Sequence, residues 1–180
     1  VGRAGFCAFL TILTAGCPTS RKAPAKSGNV MKGIVFNLLQ QVVVDAHGEE
    51  AWDALLDAAG LDGTYTSLGS YPDAEIGRLV AAASQAVGMS EDGVLTWFGR
   101  AAMPLLARHY PAFFAPHKHA RDFILSVNSI IHPEVRKLYA GAGCPHFQFE
   151  DAPGGALLMG YNSSRKLCSL AQGFVEGAGD

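Results

Sequence analysis

Charge is scarce in this chain and neither sign dominates. Asp, Glu, Lys and Arg make up 17% of 180 residues, and the formal net charge is -2. Holding nucleic acid or an anionic membrane by field requires a basic excess, so neither is a partner. Low charge also argues against a coiled coil, and a hydrophobic share of 49% against a disordered tail. Cysteine is sparse: Cys7, Cys17, Cys144 and Cys168 stand far apart, with no Cys-x-x-Cys and no Cys-x-x-Cys-His. A zinc cluster, a disulfide scaffold and a covalent c-type haem therefore lack their residues. This cysteine usage reads as a reduced, intracellular protein. P-loop, Gly-x-Gly-x-x-Gly, Gly-x-Ser-x-Gly and His-Glu-x-x-His patterns are missing too. No catalytic constellation is left, and the chain reads as a non-enzyme.

What is present divides at Met31. Phe6 to Gly16 is an apolar run too short to span a bilayer, followed by a Pro/Ser/Lys linker from Cys17 to Gly28. Residues 1–30 read as an N-terminal extension, with Met31 as the true start. Thr14-Ala15-Gly16-Cys17 also loosely matches a lipoprotein cleavage box. An exported or lipid-anchored protein is thus the alternative to a cytoplasmic one.

Beyond Met31 the apolar spacing is helical. Ile34, Val35, Leu38, Leu39, Val42 and Val43 mark a first helix. Ala51 to Ala59 marks a second, and Pro72-Asp73-Ala74-Glu75 starts a third that Gly88 ends. Ser90 opens a fourth, expected to break near Pro104 and to end by Pro111. Phe123 to Leu138 predicts one long helix over about 119–139. The period then becomes two: His146 to Glu150 is a strand, Pro153-Gly154-Gly155 a turn, and Ala156 to Tyr161 the return. Asn162 or Ser163 is expected to cap a last helix. The fold class is α+β, helix-rich first, with a hairpin over 146–161.

Three places could carry chemistry. His117-Lys118-His119 offers two imidazoles, but a short basic loop is ordinarily just solvated. His132 lies near the edge of an apolar helical stripe at about 100° per residue. It is either a satisfied boundary residue or a neutral imidazole donor to a haem iron. Tyr161-Asn162-Ser163-Ser164-Arg165 spans a strand end and a helix start. It is either a capped helix start with an exposed Arg, or a guanidinium and two hydroxyls converging on a carboxylate.

Taken together, His132 and Tyr161-x-Ser163-x-Arg165, which begins 29 residues later, resemble the H-NOX (heme nitric oxide/oxygen binding, HNOB) family. This family is related to the sensor domain of soluble guanylate cyclase. Met31-Lys32-Gly33 looks like its domain start, Ile131 to Tyr139 is similar to its haem-ligand helix, and Cys144-Pro145 supplies the proline that follows. The likeness covers residues 31–180. It implies a non-covalent haem b with His132 as proximal ligand, propionates on Tyr161, Ser163 and Arg165, and Pro145 pressing on the macrocycle. It also implies distal-pocket positions at Val35, Leu39, Ala102, Leu106 and Leu170, all apolar.

Oxygen-binding members carry a distal Tyr where Leu170 stands here. Without a donor, bound O2 loses a hydrogen bond worth about 1.5–3 kcal/mol, whereas NO needs none. The resemblance therefore implies an NO sensor (with CO as a second diatomic ligand) that excludes O2. It signals by weakening of the iron–His132 bond and helix movement to a separate effector, such as a histidine kinase, a cyclic-di-GMP enzyme or a chemotaxis receptor. The family continues past the last helix with another strand pair; this chain stops at Asp180 and reads as C-terminally truncated, leaving the hairpin an open edge. Cys168 lacks companion cysteines and is expected to be a free thiol. The competing reading is a haem-free interaction module on the same fold, which would need neither His132 nor the Tyr-x-Ser-x-Arg residues.

Overall fold

The computed structural model describes residues 29–180, so most of the N-terminal extension lies outside the described residues. Helices come first. α1 (Gly33–His47) and α2 (Glu49–Ala59) are followed by α3 (Asp73–Val87) and α4 (Glu91–His109). Their ends follow from local chemistry. The Gly93 N–H donates to Ser90 Oγ at 3.1 Å and caps α4, while Gly60 and Gly88 close α2 and α3 in the left-handed conformation that glycine adopts without strain. Phe36, Leu79 and Phe98 are buried to 1% exposure or less where these helices meet.

Two strands too short to show in the periodicity, β1 (Val30–Lys32) and β2 (Ser70–Pro72), pair antiparallel beside this bundle. After α4 come the short α5 (Pro111–Phe114) and α6 (Ala120–Ser126). A π-helical turn, Val127–Ile131, then leads into α7 (His132–Leu138). The hairpin of β3 (His146–Asp151) and β4 (Leu157–Asn162) pairs Phe147 with Tyr161. Finally α8 (Cys168–Gly179) lies against α4 so closely that a Cβ on Gly173 would sit 2.1 Å from the Thr96 carbonyl oxygen. A second, smaller core of Ile124, Leu157, Met159 and Val175 joins the hairpin to α6 and α8.

The α+β reading and the 146–161 hairpin hold, and four local expectations are corrected. Pro104 does not break α4: it is exposed, while Ala102, Met103 and Leu105 around it are buried and keep the helix continuous. The helix over 119–139 is interrupted by the π turn, where the His132 N–H bonds the Val127 carbonyl five residues back. Pro133 has no N–H to offer Ser129, which makes an unbroken α ladder impossible there. Neither Asn162 nor Ser163 caps the last helix; α8 begins at Cys168, because Lys166 takes a left-handed φ of 55°. Cys168 is disulfide-bonded rather than a free thiol, whereas Cys144 is free.

Candidate functional site

One cavity of about 350 Å³ gathers the residues that the sequence singled out. His132, Pro145, Tyr161, Ser163 and Arg165 all line it, and so do Val35, Leu106 and Leu170. Leu39 and Ala102 do not: they are buried in the core at 3% and 0% exposure. The helix α1 face is one position out, since Ile34, Val35 and Leu38 line the cavity. Phe98 on α4 and Phe174 on α8 belong to its wall as well. Phe174 stands four residues after Leu170, a helical step that already marked it in the sequence.

His132 opens α7, immediately after the π turn. Its ring faces that of Phe147 at 5.8 Å between centroids, with an interplanar angle of 29°. Nδ1 is buried and has no hydrogen-bond partner. Burial pushes the imidazole pKa down to about 4, the Arg136 charge adds to this, the Pro145 backbone opposes it, and His146 contributes least. At neutral pH the ring is therefore uncharged, with a lone pair or N–H left unsatisfied. A buried polar atom without a partner carries a free-energy cost that a ligand removes. A neutral imidazole at a cavity wall is the donor type that iron takes.

On strand β4 and in the turn after it stand the other candidates, Tyr161, Ser163 and Arg165. The Arg165 Nε donates to Asp73 Oδ2 at 2.8 Å, and its two Nη groups donate to the carbonyls of Gly143 and Val30. A guanidinium has five N–H donors, so two stay available beyond these three. The Ser163 hydroxyl accepts from the Arg165 N–H at 3.3 Å, and the Tyr161 hydroxyl accepts from the Leu167 N–H at 3.2 Å. Both hydroxyl protons thus remain to be donated. Spare donors on three cavity-lining residues, beside a guanidinium only 16% exposed, suit a carboxylate. Asp73 already offsets the Arg165 charge, so what these residues offer a carboxylate is mainly directed hydrogen bonds.

The remaining candidates fall away from the site. His117 Nε2 lies 3.3 Å from Ser126 Oγ and its ring packs edge-on to Phe123, the surroundings of a structural histidine. Among the described residues no cluster of three or more His, Cys, Asp and Glu could hold a metal ion, and no helix is long and apolar enough to cross a membrane. The sequence reading missed two tyrosines. Tyr110 and Tyr139 line the cavity with their hydroxyls 2.5 Å apart, a pairing across 29 residues that no local pattern announces.

The comparisons agree with this geometry. The family model described as Haem-NO-binding matches residues 32–180. An H-NOX protein from S. oneidensis in the Fe(II)NO ligation state is 32% identical with a TM-score of 0.75, the match covering 82% of this chain and 83% of that one. The unliganded Fe(II) H-NOX protein from K. algicida is 31% identical with a TM-score of 0.73, over 82% and 81% of the two chains. A third structure, the H-NOX domain from Shewanella oneidensis in the Fe(II)CO state, gives 31% and 0.73 over 82% of each.

Proposed function

Since the chain belongs to the haem-NO-binding family of haem-based gas sensors, we propose that it is an NO sensor built on haem b and selective against O2. The observation that carries this reading is that the uncharged imidazole of His132, whose Nδ1 is buried and unpartnered, lines the same cavity as the spare donors of Tyr161, Ser163 and Arg165. One neutral imidazole and three anion donors around one cavity are what an iron and two carboxylates need. When bound, haem supplies a ferrous iron that takes a diatomic gas.

The chain's residues divide the remaining work. His132 donates to the metal from the start of α7. Tyr161, Ser163 and Arg165 orient the macrocycle through its propionates, and Pro145 presses on it. Val35, Leu106, Leu170 and Phe174 keep the gas pocket free of hydrogen-bond donors. The hydroxyls of Tyr110 and Tyr139 are bonded to each other, which commits one of their two protons. The output passes from the movement of α7 to a separate effector in the cytoplasm: a histidine kinase, a cyclic-di-GMP enzyme or a chemotaxis receptor. The chain itself acts as a sensor, with its chemistry confined to reversible binding.

Haem stoichiometry after reconstitution tests the reading, together with the His132→Gly variant. One haem per chain, lost from its native spectrum in His132→Gly and restored by added imidazole, is the expected result. No uptake in any preparation would leave the haem-free interaction module. An unchanged spectrum in the variant would mean another ligand.

A further inference from the structure

The helix that carries His132 is fastened at its two ends and almost nowhere between. Neither the π turn Val127–Ile131 nor α7 buries a single side chain, and Leu138 is 52% exposed. The ion pair of Lys137 with Glu134 lies within the helix and ties it to nothing else. At the near end, the Asn128 amide takes both backbone groups of Phe147: its Nδ2 donates to the carbonyl at 2.6 Å, and its Oδ1 accepts from the N–H at 3.1 Å. Asn128 thus stands in for a strand partner on the open side of β3. At the far end, Tyr139 closes α7 and its hydroxyl meets that of Tyr110.

Tyr110 is built on the firmer part of the molecule. It closes α4, where its N–H bonds the Leu106 carbonyl at 2.8 Å, and its ring stacks on Phe113 at 5.9 Å between centroids. We propose that Tyr110 is a positioning residue for His132: its bond to Tyr139 is a latch on the far end of the ligand helix, and opening it lets that helix swing about Asn128. This rests on His132 being the iron ligand. A π turn suits such a pivot, because its wider hydrogen bonds are readily redistributed. The latch is a single neutral hydrogen bond, the modest kind that a changed pull on His132 is able to break. Burial, with the bond from Tyr110 adding to it, raises the Tyr139 pKa, so Tyr139 keeps its proton at neutral pH.

The test uses the full chain loaded with haem, as wild type, Tyr110→Phe, Tyr139→Phe and the double variant. Each Phe keeps the ring and removes one hydroxyl. Amide exchange over residues 134–139 is expected to rise about fivefold in each single variant, the worth of one hydrogen bond. The double variant should add nothing further, because both changes remove the same bond. Exchange at Phe147 should stay unchanged, and the iron–histidine stretching band of the ferrous protein should shift equally in both singles. Unaltered exchange with an unshifted band would overturn the proposal; so would additive effects in the double variant. If no variant takes up haem, the function proposed above has failed, while exchange in the haem-free chain still decides whether the latch exists.

Discussion

Helices α1 to α4, of which α1 and α4 line the cavity, and the stretch Val127–Leu138 that lines it from another side are built in opposite ways. The first bury Phe36, Leu79 and Phe98 almost completely, while the second buries no side chain at all. Close packing resists displacement, because every shift opens a void or forces a clash. A helix held by two polar contacts meets little such resistance. Val35 and Leu106 thus stand on the closely packed part of the cavity wall, and His132 stands on the lightly fastened part. That division is what a sensor requires, since a ligand moves an equilibrium only where two arrangements lie close in free energy.

The contrast is broken most severely at His132. His132→Gly should abolish the native haem spectrum while leaving the fold intact, and imidazole should restore it. The next largest effect belongs to the packed half. Phe98→Ala should lower unfolding free energy by about 3–5 kcal/mol in a denaturant titration, whereas Leu138→Ala on the exposed arm should stay within about 0.5 kcal/mol. Equal losses at the two positions would erase the distinction between the regions.

A smaller effect tests the pocket wall. Leu170→Tyr places a hydroxyl on the apolar wall of Val35, Leu106 and Phe174, and a hydrogen bond to partly charged bound O2 is worth about 1.5–3 kcal/mol. O2 affinity should rise by about tenfold to 150-fold, measured as oxygen dissociation kinetics. The smallest effect is a pH dependence of the haem-free chain. The unfolded chain takes a proton on His132 near pH 6.5, but the folded one resists until about pH 4. Between those values the unfolded state binds more protons, so stability is fully present above about 6.5 and falls as pH drops through this window. His132→Gln should flatten that slope.

Much of this was legible in the sequence because it depends on local spacing. Gly60, Gly88 and Ser90 mark helix ends through their own backbone and side-chain chemistry, and alternation over His146 to Glu150 marks the hairpin. Of the candidate site, residue type was legible: His132 and Tyr161-x-Ser163-x-Arg165 suit an iron and a carboxylate, and they line one cavity. Leu39 and Ala102 were misassigned, because a helical stripe names a buried face without saying which buried residues meet a void. The partners of Arg165 at Asp73, of Asn128 at Phe147 and of Tyr110 at Tyr139 were beyond reach, as each joins segments that only folding brings together. Pro104 shows the converse: a strong local signal was overridden by burial on both sides of it.

The most direct test of the central claim is the absorption spectrum of the anaerobically reduced, haem-loaded chain, recorded before and after air and then after NO. A five-coordinate ferrous spectrum that air leaves without a bound-O2 form, and that NO converts cleanly, is the predicted result. A stable oxygen complex in air would contradict the claim that the apolar wall of Val35, Leu106, Leu170 and Phe174 selects NO by offering bound O2 no donor.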